Sequence, residues 1–102
     1  MMRGMPELPP ETPHLTLYTR RGCHLCDVAR LLVRALQQTY PFHFHEVNIE
    51  GDDELERRFL LEIPVVQVAG EVVAQGKVDV DTVREALINA RLGTLGRFPT
   101  RE

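Results

Sequence analysis

Apolar and polar residues recur with two different periods along this chain of 102 residues. A period of two is typical of a strand with one buried face, and a period near 3.6 is typical of an amphipathic helix. The first period predicts strands over residues 14–19, 42–48, 65–68 and 72–75. The second predicts helices over residues 24–39, 53–60 and 80–92. The predicted order of elements is therefore βαβαββα.

The first predicted helix has a well-defined apolar face. We expect that face to comprise Leu25, Val28, Ala29, Leu32 and Leu36. The helix should end at Tyr40, because Pro41 follows and the residue before a proline avoids the helical region. The last helix is expected to be capped by Asp79 or by Asp81, since an aspartate side chain accepts hydrogen bonds from free N–H groups at a helix start.

The order of elements predicts one α/β domain over residues 14–92. A strand–helix–strand connection within one sheet is right-handed and parallel, and the short spacing between the last two strands predicts a hairpin. The product is a mixed four-stranded sheet flanked by three helices. Residues 1–13 contain four prolines, and we expect a disordered lead-in there. Residues 93–102 contain two glycines and a proline and are expected to form an irregular tail.

Both cysteines of the chain, Cys23 and Cys26, lie where the first strand gives way to the first helix. Backbone N–H groups in the first turn of a helix lack intrahelical partners, and the helix dipole adds a partial positive charge there. Such a place stabilises a thiolate, which is the form of cysteine that attacks disulfides. The spacing and position of the pair predict a dithiol redox site.

Composition and charge exclude several other classes of function. The formal net charge is −3, which argues against binding to nucleic acid or to an anionic membrane surface. No segment approaches the roughly 20 apolar residues of a membrane span, and residues 1–13 do not resemble a signal peptide. We therefore expect a cytoplasmic protein. In that reducing compartment a Cys-x-x-Cys pair is more often catalytic or metal-binding than structural.

The motifs around the cysteines carry a resemblance to a known family. A strand, a Cys-x-x-Cys at a helix start, and Ile63-Pro64-Val65 before a hairpin together look like the thioredoxin fold. The segment Leu17-Tyr18-Thr19-Arg20-Arg21-Gly22-Cys23-His24-Leu25-Cys26 resembles the small bacterial glutaredoxin-like proteins with a Cys-His-Leu-Cys site. The segments Asn48-Ile49-Glu50 and Asp53-Glu54-Leu55 are similar to the second strand and helix of that group. The resemblance covers residues 14–92 and implies a thiol–disulfide oxidoreductase.

The resemblance implies distinct roles for the two cysteines and their neighbour. Cys23 is expected to attack the substrate disulfide, and Cys26 to attack the resulting mixed disulfide and release the product. His24 replaces the proline that usually follows the first cysteine in glutaredoxins. Its imidazolium would favour the Cys23 thiolate and make the pair a weaker reductant. The alternative for His24 is a solvated side chain with little electrostatic effect.

Other expected substrate-binding positions also come from the resemblance. In the thioredoxin fold the proline at the position of Pro64 is cis and faces the cysteines. It would turn the backbone N–H and C=O of Ile63 toward a substrate that adds as an extended strand. Arg20 takes the place of a glutaredoxin lysine near the glutathione carboxylate, with Arg21 beside it, although either could be an exposed loop charge. For Pro64, the alternative is a trans proline at a strand start.

Three departures from the glutaredoxin pattern concern glutathione, which the family uses as co-substrate. Glu62 and Ile63 replace the usual threonine and valine before the proline, and the Glu62 carboxylate would repel glutathione. The paired glycines after the last strand are reduced to Gly76. The acidic residue that follows is represented by Asp79, at a helix start whose free N–H groups could hold a carboxylate. We expect no tightly bound cofactor, and glutathione binding is the least supported part of the resemblance.

Two further hypotheses compete with disulfide exchange. The first is a non-catalytic thioredoxin-fold module that binds a partner beside Pro64. The second is a metal protein, with zinc held by Cys23, Cys26, His43 and His45 or with an iron–sulfur cluster shared by two chains. For the oxidoreductase, the expected partners are disulfide-bearing proteins or small thiols, and we expect a monomer.

Overall fold

A computed structural model describes residues 12–96, and it describes side chains up to residue 91. Its elements are β1 (His14–Thr19), α1 (His24–Gln37), β2 (His43–Asn48), α2 (Asp53–Phe59), β3 (Val65–Val68), β4 (Glu71–Gln75) and α3 (Val80–Gly96). The order βαβαββα is confirmed. Within the described residues, no helix is both long enough and apolar enough to cross a bilayer.

The four strands form one mixed sheet in the order β2-β1-β3-β4. Strand β1 runs parallel to β2, with His14 opposite His43 and Thr19 opposite Asn48. It runs antiparallel to β3, which pairs antiparallel with β4 across a hairpin. The predicted α/β class and mixed sheet are therefore confirmed, and β1 has a neighbouring strand on each side.

The two faces of the sheet bury apolar side chains in cores of different size. The larger core joins β1 and β3 to α1 and α3, and its fully buried members are Leu15, Leu17, Val33, Val66 and Val83. The smaller core lies on the other face, where Phe59 of α2 stacks on Tyr18 of β1 with ring centroids 4.6 Å apart. Residues of β1 alternate between the two cores, as the period of two predicts.

Helix α1 is rotated relative to the apolar face that the sequence predicts. Its buried residues are Cys26, Ala29, Val33 and Leu36. Leu25 and Val28, which were expected in the core, are 44% and 41% exposed. Apolar residues cover much of the circumference of this helix, so periodicity alone leaves open which part faces the sheet. The burial of Cys26 shows the orientation that packing selects.

Several boundaries differ from the predicted ones. Helix α3 continues to Gly96 instead of ending near residue 92, because the cost of a helical glycine, about 1 kcal/mol relative to alanine, does not stop a helix by itself. Thr12 and Pro13, placed in the lead-in by their composition, are buried, and the Pro13 carbonyl accepts a hydrogen bond from the His43 N–H. The rest of the predicted lead-in and tail, residues 1–11 and 97–102, lies outside the described residues.

Candidate active site

The cysteines occupy the start of α1, directly after the loop that follows β1. Cys23 is the N-cap residue, with extended backbone angles of φ −104° and ψ 105°. Its Sγ accepts a hydrogen bond from the backbone N–H of Cys26 at 3.1 Å. The two cysteines are joined in a disulfide. In the reduced state the same N–H and the helix dipole are placed to stabilise a thiolate on Cys23.

The two sulfur-bearing residues differ in accessibility. Cys23 is partly exposed, whereas Cys26 is 0% exposed and forms part of the buried face of α1. A disulfide on another molecule can therefore approach Cys23 from solvent but not Cys26. This asymmetry agrees with the roles that the sequence assigns, with attack by Cys23 and resolution by Cys26.

The cysteine loop is fastened to the end of β2 by one carboxylate. Glu50 accepts hydrogen bonds from the Arg21 backbone N–H at 3.2 Å and from the Arg21 Nε–H at 3.1 Å. The Asn48 side chain donates to the same Glu50 oxygen at 3.1 Å. The Arg21 backbone N–H, the Asn48 amide and the Arg21 guanidinium lower the pKa of Glu50. Gly22, at φ +72°, supplies the left-handed conformation that turns the loop back into α1.

A second set of ion pairs fastens α1 to β2. The Arg30 guanidinium donates to both Glu46 oxygens, at 2.8 and 2.6 Å, and to Asp27 at 2.9 Å. Hydrogen bonding to Arg30 lowers the pKa of Glu46, and bonding to Glu46 and Asp27 raises the pKa of Arg30. The hydroxyl of the buried Thr19 also donates to Glu46, at 3.2 Å. The helix that carries the cysteines is thus tied to the sheet one turn beyond Cys26.

An open polar cavity of about 540 Å³ lies at this end of the sheet. It is lined by Thr19, Arg20, Arg21, Gly22, Asp27, Arg30, Glu46 and Asn48. Arg20 is exposed there and makes no ion pair with another described residue. Neither cysteine nor Pro64 lines the cavity, which lies toward β2. The cavity is therefore a neighbour of the cysteine site and not the place where a disulfide would be exchanged.

Pro64 precedes β3 and, as predicted, follows a cis peptide bond from Ile63. Pro64 is buried, and Ile63 packs against the smaller core. The expectation that both backbone groups of Ile63 face a substrate needs correction. The Ile63 N–H already donates to the Phe59 carbonyl at 3.1 Å, in the turn that ends α2. Of these two backbone groups, only the carbonyl of Ile63 has no partner among the described residues.

Gly76, which the resemblance gives as a substrate-binding position, lies against the proline segment. Its N–H donates to the Glu62 carbonyl at 3.0 Å and to the Pro64 carbonyl at 2.8 Å, at a backbone φ of +69°. The Glu62 side chain is exposed and accepts a hydrogen bond from Gln75 at 3.4 Å. The end of β4 and the proline segment therefore form one hydrogen-bonded unit that carries a carboxylate.

Asp79 is the cap of α3, which resolves the choice between Asp79 and Asp81. One Asp79 oxygen accepts from the Thr82 N–H at 3.1 Å and from the Thr82 hydroxyl at 3.0 Å, while Asp81 pairs with Arg84. The start of this helix thus already holds a carboxylate of its own chain. A second carboxylate would meet a negative charge there, which weighs against the expected glutathione site.

The four histidines divide between the two ends of the sheet. His24 is exposed beside Cys23, and its side chain makes no hydrogen bond or ion pair with another described residue. His43 and His45 lie in β2 at the end opposite to the cysteine loop, because β1 and β2 are parallel and His43 pairs with His14. The structure therefore separates the four residues of the zinc hypothesis. As the side chains lie, no group of three or more His, Cys, Asp or Glu among the described residues is arranged to hold a metal ion.

Sequence reasoning missed the residues that hold the site in place. Arg30, Glu46 and Glu50 carry the ion pairs that fasten the loop and α1 to β2, yet each is an ordinary surface charge in the sequence. The available signal was Asn48-Ile49-Glu50 at the end of a predicted strand parallel to β1. Carboxyl ends of parallel strands meet at one edge of the sheet, so these polar residues had to lie near the cysteine loop.

Comparison with known proteins places this geometry in a family. A family model described as Glutaredoxin-like domain (DUF836) matches residues 14–90. No curated protein matches the chain. Among solved structures, protein Ne2328 from Nitrosomonas europaea is 27% identical, with a TM-score of 0.65 and coverage of 82% of this chain and 96% of that one. Protein XcR50 from X. campestris is 33% identical, with a TM-score of 0.62 and coverage of 74% and 96%.

A more distant structure shows the fold alone. A mutant thioredoxin from Halobacterium salinarum is 15% identical, with a TM-score of 0.61 and coverage of 78% of this chain and 74% of that one. The strand order, the Cys-x-x-Cys at the start of α1 and the matched residues agree with one another. The chain belongs to the glutaredoxin-like domain family, and its thioredoxin fold carries Cys23 and Cys26 as a disulfide-bonded pair.

Proposed function

We propose that this protein is a thiol–disulfide oxidoreductase that acts through Cys23 and Cys26. The observation that supports it most strongly is the position of Cys23, which is accessible and caps α1 with its sulfur on the Cys26 N–H. The buried Cys26, one helical turn away, supplies the second thiol that a dithiol mechanism requires.

The proposed reaction consists of two thiol–disulfide exchanges. The Cys23 thiolate attacks one sulfur of the substrate disulfide, which forms a mixed disulfide and expels the other substrate sulfur as a thiolate that takes up a proton. Cys26 then loses its proton and attacks the Cys23 sulfur, which breaks the mixed disulfide and releases the second substrate thiol. Two electrons pass from the dithiol to the substrate, and the Cys23–Cys26 disulfide seen in the structure is the product.

Neighbouring groups adjust the proposed reaction. The exposed His24 follows Cys23 directly, and a positive charge on its ring favours the thiolate over the disulfide. The open carbonyl of Ile63, beside Pro64, offers one hydrogen-bond acceptor to an extended substrate segment. Arg20 is an exposed cation in the loop before Cys23 that pairs with no carboxylate of the described residues, and it can attract an anionic group on the substrate.

Glutathione is not the disulfide partner that this geometry favours. The Glu62 and Asp79 carboxylates belong to the segments where the resemblance would locate glutathione contacts, and the Ile63 N–H is engaged by Phe59. We therefore propose a disulfide in a protein, or the disulfide of a small thiol other than glutathione, as the substrate. The proposed setting is the reducing cytoplasm, with the protein acting as a monomer and without a bound cofactor.

The test measures the rate at which the full chain reduces the disulfides of insulin. The chain is recycled in parallel by glutathione with glutathione reductase and, in a separate reaction, by thioredoxin reductase alone. Cys23→Ser should abolish turnover, because no nucleophile remains. Cys26→Ser should accumulate a mixed disulfide between Cys23 and the substrate, detectable as a mass increase that a reductant removes. Equal residual turnover in the two variants would overturn the assignment of roles.

The same assay separates the competing binding module. If the wild-type chain turns over no disulfide with either recycling system, the oxidoreductase proposal fails, even if the partner still binds. Faster turnover with the glutathione system than with thioredoxin reductase would overturn the proposal that glutathione is a disfavoured partner and leave the dithiol mechanism intact. The substitution Glu62→Thr should raise the turnover rate with glutathione, since it removes the carboxylate.

A further inference from the structure

Three histidines form one cluster at the end of the sheet opposite to the cysteines. His14 begins β1 and lies beside His43, the first residue of β2, while His45 lies two residues further on the same face. The His14 ring stacks on His43 with centroids 4.5 Å apart, and its centroid is 5.1 Å from that of His45. The cluster uses three of the four histidines in the chain, and the sequence alone indicated only the two in β2.

Two nitrogens of this cluster already lie at the separation of two ligands on one metal ion. The His14 Nδ1 and the His45 Nε2 are 2.9 Å apart and share one hydrogen bond. Their ring planes lie at 8° with centroids 5.1 Å apart, so the two nitrogens face each other along that bond, and both exposed rings must turn to aim their lone pairs at one ion. Metal–imidazole bonds of about 2.0–2.1 Å that meet at a right angle place their nitrogens about 2.9 Å apart. A right angle between neighbouring ligands is the geometry that Cu²⁺ and Ni²⁺ prefer with nitrogen donors.

The surroundings of the pair leave it available to an ion from solvent. His14 and His45 are exposed, and His43 is half-buried. None of the three makes an ion pair with a carboxylate of residues 12–96, so no carboxylate in that part of the chain competes for their nitrogens. Helix α2 packs against Tyr18 at the other end of this face and does not cover His14. Both ligands stand on paired strands, which position side chains more firmly than a loop does.

From this geometry we propose that His14 and His45 chelate a divalent first-row transition metal, with water completing the coordination. His43 stacks on His14 and holds its ring in place, so it is a positioning residue in this site. Cu²⁺ should bind more tightly than either Ni²⁺ or Zn²⁺. On binding, the hydrogen between the two nitrogens moves to the far nitrogen of its own ring. Both rings turn so that the near lone pairs face the metal, and each ring keeps a proton on its far nitrogen.

This site is separate from the cysteine site. The strand β1 places His14 five residues before Thr19, which is about 17 Å at the usual rise of a strand. Metal bound at His14 and His45 therefore cannot be shared with Cys23 or Cys26. In the oxidised chain the disulfide also withholds both sulfurs as ligands. The proposal is independent of disulfide exchange and can fail or succeed without it.

The test is a calorimetric titration of the oxidised full chain with Ni²⁺ and with Cu²⁺ in a non-chelating buffer near neutral pH. His14→Gln and His45→Gln should each weaken binding by about tenfold or more, because each leaves one imidazole where two acted together. His24→Gln is the matched control, since it removes the one histidine outside the cluster, and it should bind as the wild type does. His43→Gln should weaken binding less than either ligand variant.

A spectroscopic readout distinguishes loss of a ligand from loss of structure. The electron paramagnetic resonance spectrum of the Cu²⁺ complex should show two nitrogen donors in the wild type and one in His45→Gln. Far-ultraviolet circular dichroism should be unchanged in all variants. Unchanged affinity in both His14→Gln and His45→Gln would overturn the proposal. Loss of binding in His24→Gln, or no binding of Cu²⁺ to the wild type, would also overturn it.

Discussion

The two ends of the strand pair β1–β2 carry different chemistry by different means. At the carboxyl end, the Cys26 backbone N–H holds the Cys23 sulfur, and ion pairs to Glu50 and Glu46 hold the loop and α1 against β2. At the amino end, three imidazoles meet only because the register places them side by side. A site of the first kind depends on the surrounding loops. A site of the second kind depends on the sheet alone.

The difference gives each end its own sensitivity to mutation. Substitutions that loosen the contact between α1 and β2 should affect the cysteine end and leave the histidine end unchanged. Substitutions in the sheet core between the two ends should affect both. The following predictions use that contrast, from the largest expected effect to the smallest.

The largest effect is expected at Leu17, which is 0% exposed in the middle of β1. Leu17→Ala removes buried methyl groups and leaves a cavity between the two ends, which should lower the free energy of unfolding by about 2–5 kcal/mol. Urea unfolding measures the change. The matched control is Leu31→Ala on the outer side of α1, where the side chain is 70% exposed and the change should stay within about 0.5 kcal/mol. Equal losses in the two variants would contradict the description of the core.

The next effect concerns the Arg30–Glu46 pair and its pH dependence. The pKa of Glu46 is lowered in the folded state, so its contribution to stability is present above the unfolded pKa and is lost as pH falls through the folded value. Arg30→Gln should remove that contribution, which is below about 1 kcal/mol for a partly exposed pair. The difference between the melting temperatures near neutral pH and in acid should therefore be smaller in the variant than in the wild type.

Arg84 supplies the control for this pair. It forms an ion pair with Asp81 three residues away on α3, far from the contact between α1 and β2. Arg84→Gln should change the stability less than Arg30→Gln does. If the two variants lost the same acid dependence, Arg30 would not be the contact that fastens α1 to β2.

The smallest effect concerns His24 and the redox balance of the pair. His24→Pro replaces the first residue of α1, where proline is well tolerated because that N–H has no helical partner. Loss of the imidazole should make the Cys23–Cys26 pair more reducing, by a shift on the order of 10 mV, which corresponds to about 0.5 kcal/mol. Equilibration with glutathione redox buffers measures it. An unchanged or higher potential would refute the electrostatic role of His24.

The features that the sequence predicts well are those with a local physical cause. The Cys-x-x-Cys at a helix start, the proline before β3 and an aspartate cap on α3 are all read from a few neighbouring residues, and the structure confirms each, with Asp79 as the cap of the two candidates. The order of elements follows from periodicity for the same reason. The zinc hypothesis failed at its combination of residues, because Cys23 follows the carboxyl end of β1 whereas His43 begins the parallel strand β2.

The features that were missed depend on contacts between distant residues. The buried face of α1 includes Cys26 and excludes Leu25, since the sheet selects one of several apolar faces. The Ile63 N–H is taken by Phe59 because α2 ends in a tight turn there. His14 joins the other histidines only through the register of β1 with β2, and Arg30 finds Glu46 across the same pair of elements. None of these leaves a periodic or motif-like signal.

The most direct test of the proposed dithiol chemistry is the equilibrium reduction potential of the Cys23–Cys26 pair in the full chain. The oxidised fraction is measured by thiol labelling after equilibration in glutathione and in thioredoxin redox buffers. A reversible two-electron transition between about −270 and −200 mV, the range of thioredoxin and glutaredoxins, is the result that the proposal predicts. Absence of any reversible disulfide between Cys23 and Cys26 would contradict it.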